Sequence, residues 1–446
     1  MKKLFTLMVV VVAVATACQK DVTMNNISND KESVELSATR SYDEALKIAE
    51  DALTLLDGDD TRATKRRVIK RTEGQTVMRS VTRGSEAAEE PIMYIFNNEN
   101  DEGFTIVAAN RSVDPVIAVT EKGNYTYGEP TGVEPFDLLM EDVAISLAFI
   151  PDVPMAIMDV EENIKDYETL PTYYIEWGTE GVYGSMFPDN VAHVEGAAIA
   201  QTLMNVACDS SYQISIPGNP QYGTSVNMNK AFMAIHRRND HVLAPGYGCD
   251  TVAVHNQIAT LYREIGQRLI SGTSVSITNK RRPFDITKIK TILDGFGCEV
   301  GSITSHSDTP MVPMYNAAAD DYYADTFVIQ GSSLSDEPMP NQTYQHTWIA
   351  SRSRVHRYDK VTYGLNQFYN PSAADPNGYT ELAREVKYNY MFYFNWGFDG
   401  ISNGWFNRDC FDMSQRVGEY NSLIDIQEVY DYNFDEINYF MVQKLQ

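Results

Sequence analysis

The feature that most limits the fold is the order in which two periodicities occur. Apolar residues recur at helical spacing in "NVAHVEGAAIAQTLMNVAC" (190–208), "TVAVHNQIATLYREIGQRLI" and "FDITKIKTILDGFG", the last offering Gly295 and Gly297 as C-cap candidates. Strand-like runs come afterwards: "TFVIQGSS", "QHTWIASR", "NYMFYFNWG", "GWFNRDCF" and "NYFMVQKLQ". Helices first and strands later predict an α+β domain with an antiparallel sheet, spanning about residues 165–446.

A chain of 446 residues exceeds one ordinary core, and a second pattern precedes the first. "SYDEALKIAEDALTLL" follows Ser41, a good N-cap, with Ala45, Leu46, Ile48, Ala49, Ala52 and Leu53 at helical spacing. Ile92 to Phe96 and Phe104 to Ala108 read as a β-hairpin across an Asn/Asp/Gly turn, with a third strand near Val116 to Val119. One helix and a small antiparallel sheet predict a first α+β domain over residues 32–150. The basic-then-acidic "TRATKRRVIKRTEGQTVMRSVTRGSEAAEE" inside it reads as a solvated strand-and-loop excursion, with a peptidase-sensitive loop as the functional alternative. A Pro-punctuated stretch, 151–164, reads as the linker.

The opening "MKKLFTLMVVVVAVATAC" has a basic start, an apolar run from Leu4 to Val14 too short to span a membrane, and small residues before Cys18. Residues 1–17 therefore read as a lipoprotein signal peptide, Cys18 as the lipid acceptor, and 18–31 as a polar tether. An ordinary secretory signal is the plainer alternative. The expected location is exported and lipid-anchored at the cell envelope. A formal charge of −25 argues against nucleic acid as a partner. Cys208, Cys249, Cys298 and Cys410 permit two disulfides in three connectivities and match no metal-ligand spacing. The acidic "DDYYAD" at 320–325 lacks calcium-loop spacing and reads as a solvated loop. No metal or cofactor is expected.

The start of the 190–208 helix carries the main functional question. A helix N-terminus favours a thiolate, a histidine from a strand completes the ion pair, and a third polar group orients the ring. His346 in "QHTWIASR" and Asn395 with Trp396 in "FNWGFDGISNGWF" would supply the base and the orienting groups.

Taken in order, "WGT", the small-residue helix, "QHTWIA" and "FNWGFDG…NGWF" resemble the streptopain family of papain-like cysteine peptidases. The Tyr94 to Val119 hairpin is similar to that family's inhibitory propeptide. The resemblance covers nearly the whole mature chain and implies a propeptide-like domain followed by a papain-like one. It fails where the chemistry would be. With Ala198, Ala200 and Gln201 on the family's A-x-A-Q, the nucleophilic Cys falls on Val194 and the preceding Gly on His193. The oxyanion Gln falls on Thr179, after Trp177 and Gly178. His346 keeps the general-base position, Asn395, Trp396 and Gly397 are retained, and Phe398 replaces the second Trp. Valine has neither nucleophile nor proton to give. Cys208 lies 14 residues further along the helix, roughly 21 Å away at 1.5 Å per residue. His193 reads as a partly exposed capping-turn residue, with a neutral base or acceptor as the alternative.

The resemblance thus implies an inactive relative that binds a peptide or a related peptidase. Two other readings stand beside it: an active cysteine endopeptidase with an unrecognised nucleophile, and a structural or adhesive surface lipoprotein, which the 27 tyrosines would suit.

Overall fold

The computed structural model describes residues 39–58, 67–71, 73–83, 86–111, 113–150, 158–168, 177–207, 213–215, 225–227, 251–277, 284–316, 321–322, 326–334, 343–365, 379–398, 400–411 and 436–443. Cys18, Cys208 and Cys249 lie outside them, as does most of the 320–325 run, of which Asp321–Tyr322 pairs with Tyr315–Asn316 in a short hairpin.

The first unit opens with α1 (Tyr42–Gly58). Ser41 Oγ accepts the Glu44 N–H at 3.3 Å, satisfying one of the free donors of the first turn. Ala45, Ala49 and Leu53, four residues apart, bury their side chains against Tyr94, Phe96, Val107 and Val119. Those residues lie on β2 (Glu86–Asn97), β3 (Phe104–Ala108) and β4 (Val116–Thr120). The expected hairpin is present, with Tyr94 opposite Val107 and Asn97 opposite Phe104. An extra strand, β1 (Gln75–Arg83), pairs antiparallel with β2, so the later part of the basic-acidic excursion, from Gln75 on, forms sheet.

A second helix, α2 (Glu134–Phe149), corrects the expectation of a single helix in this unit. Pro135 pre-sets the first turn, and Asp137 holds the preceding Thr131 through its N–H at 3.0 Å and hydroxyl at 2.7 Å. Phe136, Leu139, Met140, Val143 and Leu147 pack on the sheet face opposite α1. The Pro-rich stretch read as linker overlaps β5 (Met158–Glu168), which begins inside it and runs past the boundary expected at 164.

The second unit supplies α3 (Val194–Ala207), α4 (Thr251–Ile270) and α5 (Ile286–Asp294), where they were expected. Asp285 caps α5 by accepting the Thr287 N–H at 2.7 Å, and Gly297 beyond its end takes φ +90°. The strands are β6 (Thr326–Leu334), β7 (Thr343–Leu365), β8 (Tyr379–Asn395), β9 (Gly404–Asn407) and β10 (Glu436–Gln443).

The sheets of the two units are one sheet among the described residues, in the order β1-β2-β3-β4-β9-β8-β7-β6-β10, with Glu299–Val300 and Thr304–Ser305 pairing with β10 and β5 pairing with β7. The join is antiparallel, with Gly404 opposite Thr120 and Phe406 opposite Ala118. A Cβ on Gly404 would stand 2.3 Å from the Val119 carbonyl oxygen, so this close approach requires glycine. One face carries α1 over the first unit's strands and α3, α4 and α5 over Val328, Ile349, Phe440 and Val442. The other face is continuous from Met93 and Phe104 through Phe406, Phe394 and Trp348, and α2 lies on it.

Candidate functional site

Helix α3 begins at Val194, whose side chain is half-buried. The approach to it is built locally. The Thr179 carbonyl accepts the Ala192 N–H at 2.8 Å, and Gln201 Nε2, two turns into the helix, donates to the Trp177 carbonyl at 2.8 Å. The Trp177–Thr179 turn is thus strapped beside the helix start, bringing Thr179 and Val194 into one neighbourhood. His193 differs from expectation: it is buried, 1% exposed, edge-on to Phe284 at 5.3 Å and Phe187 at 6.4 Å. Glu195 Oε1 accepts the Phe284 N–H at 3.2 Å and pins the same segment. The aromatic cage exists only after residues about 90 positions apart have met, so helix-end rules placed His193 at the surface.

The Asn395–Trp396–Gly397 turn meets α3 from the other side. Gly397 has φ +84°, and a Cβ there would lie 3.3 Å from the Ala197 Cβ. Asn395 Oδ1 accepts the Gly397 N–H at 3.0 Å, and Asn403 Oδ1 accepts the Trp396 N–H at 2.9 Å. Trp396 Nε1 donates to the Ser402 carbonyl at 2.9 Å, which fixes the indole against Trp348, Phe394 and Phe406. The carboxamide oxygen of Asn395 is therefore engaged by its own turn.

His346 is placed by the pleat of β7. Side chains alternate along a strand, and Trp348 and Ala350 belong to the cluster on the α2 face while Ile349 belongs to the cluster on the α3 face. Thr347 also faces the α3 side, where its Oγ1 accepts from Gln330 Nε2 at 2.9 Å, and Gln330 in turn holds Phe284 and Ile286. His346 shares the parity of Trp348 and sits opposite Gly331 on β6. Asn395 is opposite Ile349, so its parity is the other one. Thr179, Val194, Asn395 and Gly397 gather on the α3 side. His346 faces the first unit.

What meets the imidazole there is Glu134, the first residue of α2, with Oε2 3.6 Å from Nε2. Two residues on, Phe136 packs edge-on against Trp396 at 6.2 Å. Burial pushes the His346 pKa down to about 4, so the ring is neutral at pH 7. Burial, followed by the Asp137 charge, raises Glu134 above the usual carboxylate value. At 3.6 Å the pair is too long for a hydrogen bond. The first unit also holds the turn through its backbone: Glu121 N–H donates to the Asn403 carbonyl at 3.0 Å and Ser402 N–H to the Lys122 carbonyl at 3.3 Å. Tyr393 donates its hydroxyl to Glu121 at 2.9 Å. Sequence reasoning passed over Glu134 and Phe136; the available signal was "EPFD", a Pro-led, acidic helix start.

Chemically, the helix start presents Val194, an aliphatic side chain, and the His346 imidazole turns to a carboxylate on another helix. Cys298 and Cys410 are free, buried and in different clusters. Burial raises Cys298 to about 12 and Cys410 well above its ordinary value, so both are protonated. Among the described residues no group of three His, Cys, Asp or Glu side chains is arranged to hold a metal ion.

No curated protein matches the chain. Among solved structures, the chain is similar to a mutant fragment, 39-359, of Prevotella intermedia prointerpain A. Identity is 15% and the TM-score 0.40, over 83% of this chain and 99% of that one. A family model, Spi protease inhibitor, matches residues 31–144. That stretch takes in α1, the four strands β1 to β4 and most of α2, the helix whose Glu134 and Phe136 meet His346 and Trp396.

Proposed function

We propose that this chain is an exported lipoprotein, anchored through Cys18, with the plan of a streptopain-type zymogen but without its nucleophile. In this reading it binds an extended peptide or a related peptidase and does not cleave it. The observation that carries the reading is Val194 as the first residue of α3, beside Thr179. An aliphatic side chain has no lone pair to attack a carbonyl and no proton for a base to take. A neutral His346 that faces Glu134 of α2, 3.6 Å away, supports it further.

The test is turnover. Mature protein and His346→Ala are incubated with labelled casein and with short peptides, and the mature protein is then offered active-site-blocked cysteine peptidases in a pull-down. The expected result is no cleavage by either form and retention of a peptide or peptidase. Cleavage that disappears in His346→Ala would refute the reading, because it requires a base and a nucleophile that meet. Cys18→Ser, which should abolish labelling by a fatty-acid analogue in an expressing cell, tests the anchor separately.

A further inference from the structure

Strand β7 is much longer than the strand beside it. β6 follows one edge of β7 only as far as Phe327 opposite Ala350, while β8 covers the other edge out to Leu365. Beyond Ala350 the first edge is taken by β5, antiparallel, from Arg354 opposite Glu168 to Tyr363 opposite Met158. The segment that connects the two units therefore serves as a strand of the second unit's sheet.

Three features set β5 apart from its neighbours. Its described side chains, Ile164 to Tyr167, are exposed or half-exposed, and Ile164 is 41% exposed. β6 by contrast buries Phe327, Val328 and Ile329, and β7 buries Val355 and Val361. A strand segment that buries as little of its side chains as Ile164 to Tyr167 do draws its stability mainly from backbone pairing and belongs to the less stable part of a fold. Second, charge is complementary. β5 carries Asp159, Glu161, Glu162, Asp166 and Glu168 against Lys165 as its basic residue. The β7 edge carries Arg354, His356, Arg357 and Lys360, with Asp359 as the exception. His356 Nδ1 meets Asp166 Oδ1 at 2.7 Å; partial desolvation would raise that carboxyl, but the His356 contact, helped by the Arg354 charge, holds it below its usual value. Third, the match is imperfect. The register sets Arg357 against Lys165 and Asp359 against Glu162, and the ladder is interrupted between Arg357 and Asp359. Like charges directly opposite weaken a strand pair.

We propose that the β7 edge from Arg354 to Tyr363 is a binding site for an extended acidic peptide, and that β5 is the chain's own displaceable occupant of it. The incoming peptide adds as an antiparallel strand, with backbone hydrogen bonds giving affinity and the cationic edge giving the preference for acidic side chains. A peptide with an acidic residue opposite Arg357 improves on β5 at the position where β5 is worst. This site is separate from the cleft beside Val194 and stands whether or not that cleft binds anything.

The probe is a fluorescent peptide with the sequence of residues 158–168, in its native form, as Lys165→Glu, and with its acidic residues changed to Lys. Each is titrated into the intact mature chain and into an Ile164→Pro/Asp166→Pro variant, which cannot keep the β5 ladder. The variant should bind the native peptide at least about tenfold more tightly than the intact chain does. The Lys165→Glu peptide should bind more tightly still, and the Lys-substituted one should fail. A folded variant that ignores the acidic peptides, or that takes the Lys-substituted peptide equally well, overturns the proposal. If circular dichroism shows the variant unfolded, hydrogen exchange on the intact chain decides: β5 amides exchanging well before those of β8 support the site, and exchange in step with β8 overturns it.

Discussion

His346→Gln should make the protein less sensitive to acid. The folded ring has a pKa of about 4 against an ordinary 6.5, because burial disfavours the imidazolium. An unfolded chain therefore takes up a proton between those values that the fold refuses, and native stability falls as pH drops through that window. At 1.36 kcal/mol per unit, the shift amounts to about 3 kcal/mol by pH 4, fully present below it and absent above about 7. Glu134, raised by burial, acts in the opposite sense, since its protonated form is the one the fold favours. The measurement is therefore a difference. Urea unfolding of wild type and His346→Gln is followed at several pH values, and the stability gap between them is plotted. Glutamine is close in length and remains neutral, so wild type should lose ground relative to the variant as pH falls from 7 to 4. A gap that stays constant to within about 0.5 kcal/mol would show that the ring is not held neutral in the fold, and the account of the Glu134 contact would go with it.

Three further outcomes follow from the same geometry. Gly404→Ala would put a methyl 2.3 Å from the Val119 carbonyl oxygen and should break the junction between β4 and β9, read as lost hydrogen-exchange protection at Trp405 and Phe406 with α4 unchanged. Phe136→Ala removes a fully buried ring that touches Phe104, Tyr125, Trp396 and Phe406, and should cost about 3–5 kcal/mol in denaturant unfolding. Val194→Cys with Thr179→Gln installs a thiol and a carboxamide without moving His346 to the α3 face, so the full-length double variant should fail to cleave casein; measurable turnover would contradict the face assignment of His346.

Much of the second unit was legible because its signals are local. The small-residue spacing of α3, the Asp285 cap of α5 and the apolar runs of β6 to β10 each act within a few residues, and each element formed where its pattern lies. The first hairpin likewise carried its own turn chemistry between Asn97 and Phe104. Helix α2 was missed because its amphipathic pattern is weak: it is apolar on much of its circumference. Strand β5 was missed because a polar, acidic segment with prolines before it has the composition of a linker, and only the basic edge of β7 makes it a strand.

The amino-acid order alone pointed to the candidate residues: Val194 at the helix start, Thr179 in the preceding turn, His346 on a strand and Asn395–Trp396 in a tight turn. The tertiary structure alone decided which of them meet. A strand's side chains alternate between two faces, so whether His346 looks toward Val194 or away from it depends on long-range pairing and on what covers each face. Here β7 pairs with β6 and β8 in a register that aims His346 at α2 and Glu134, while Asn395 and Val194 lie on the other side. The fusion of two sheets through β4 and β9 has the same origin, for an edge strand's partner is chosen by whatever edge the rest of the chain brings beside it.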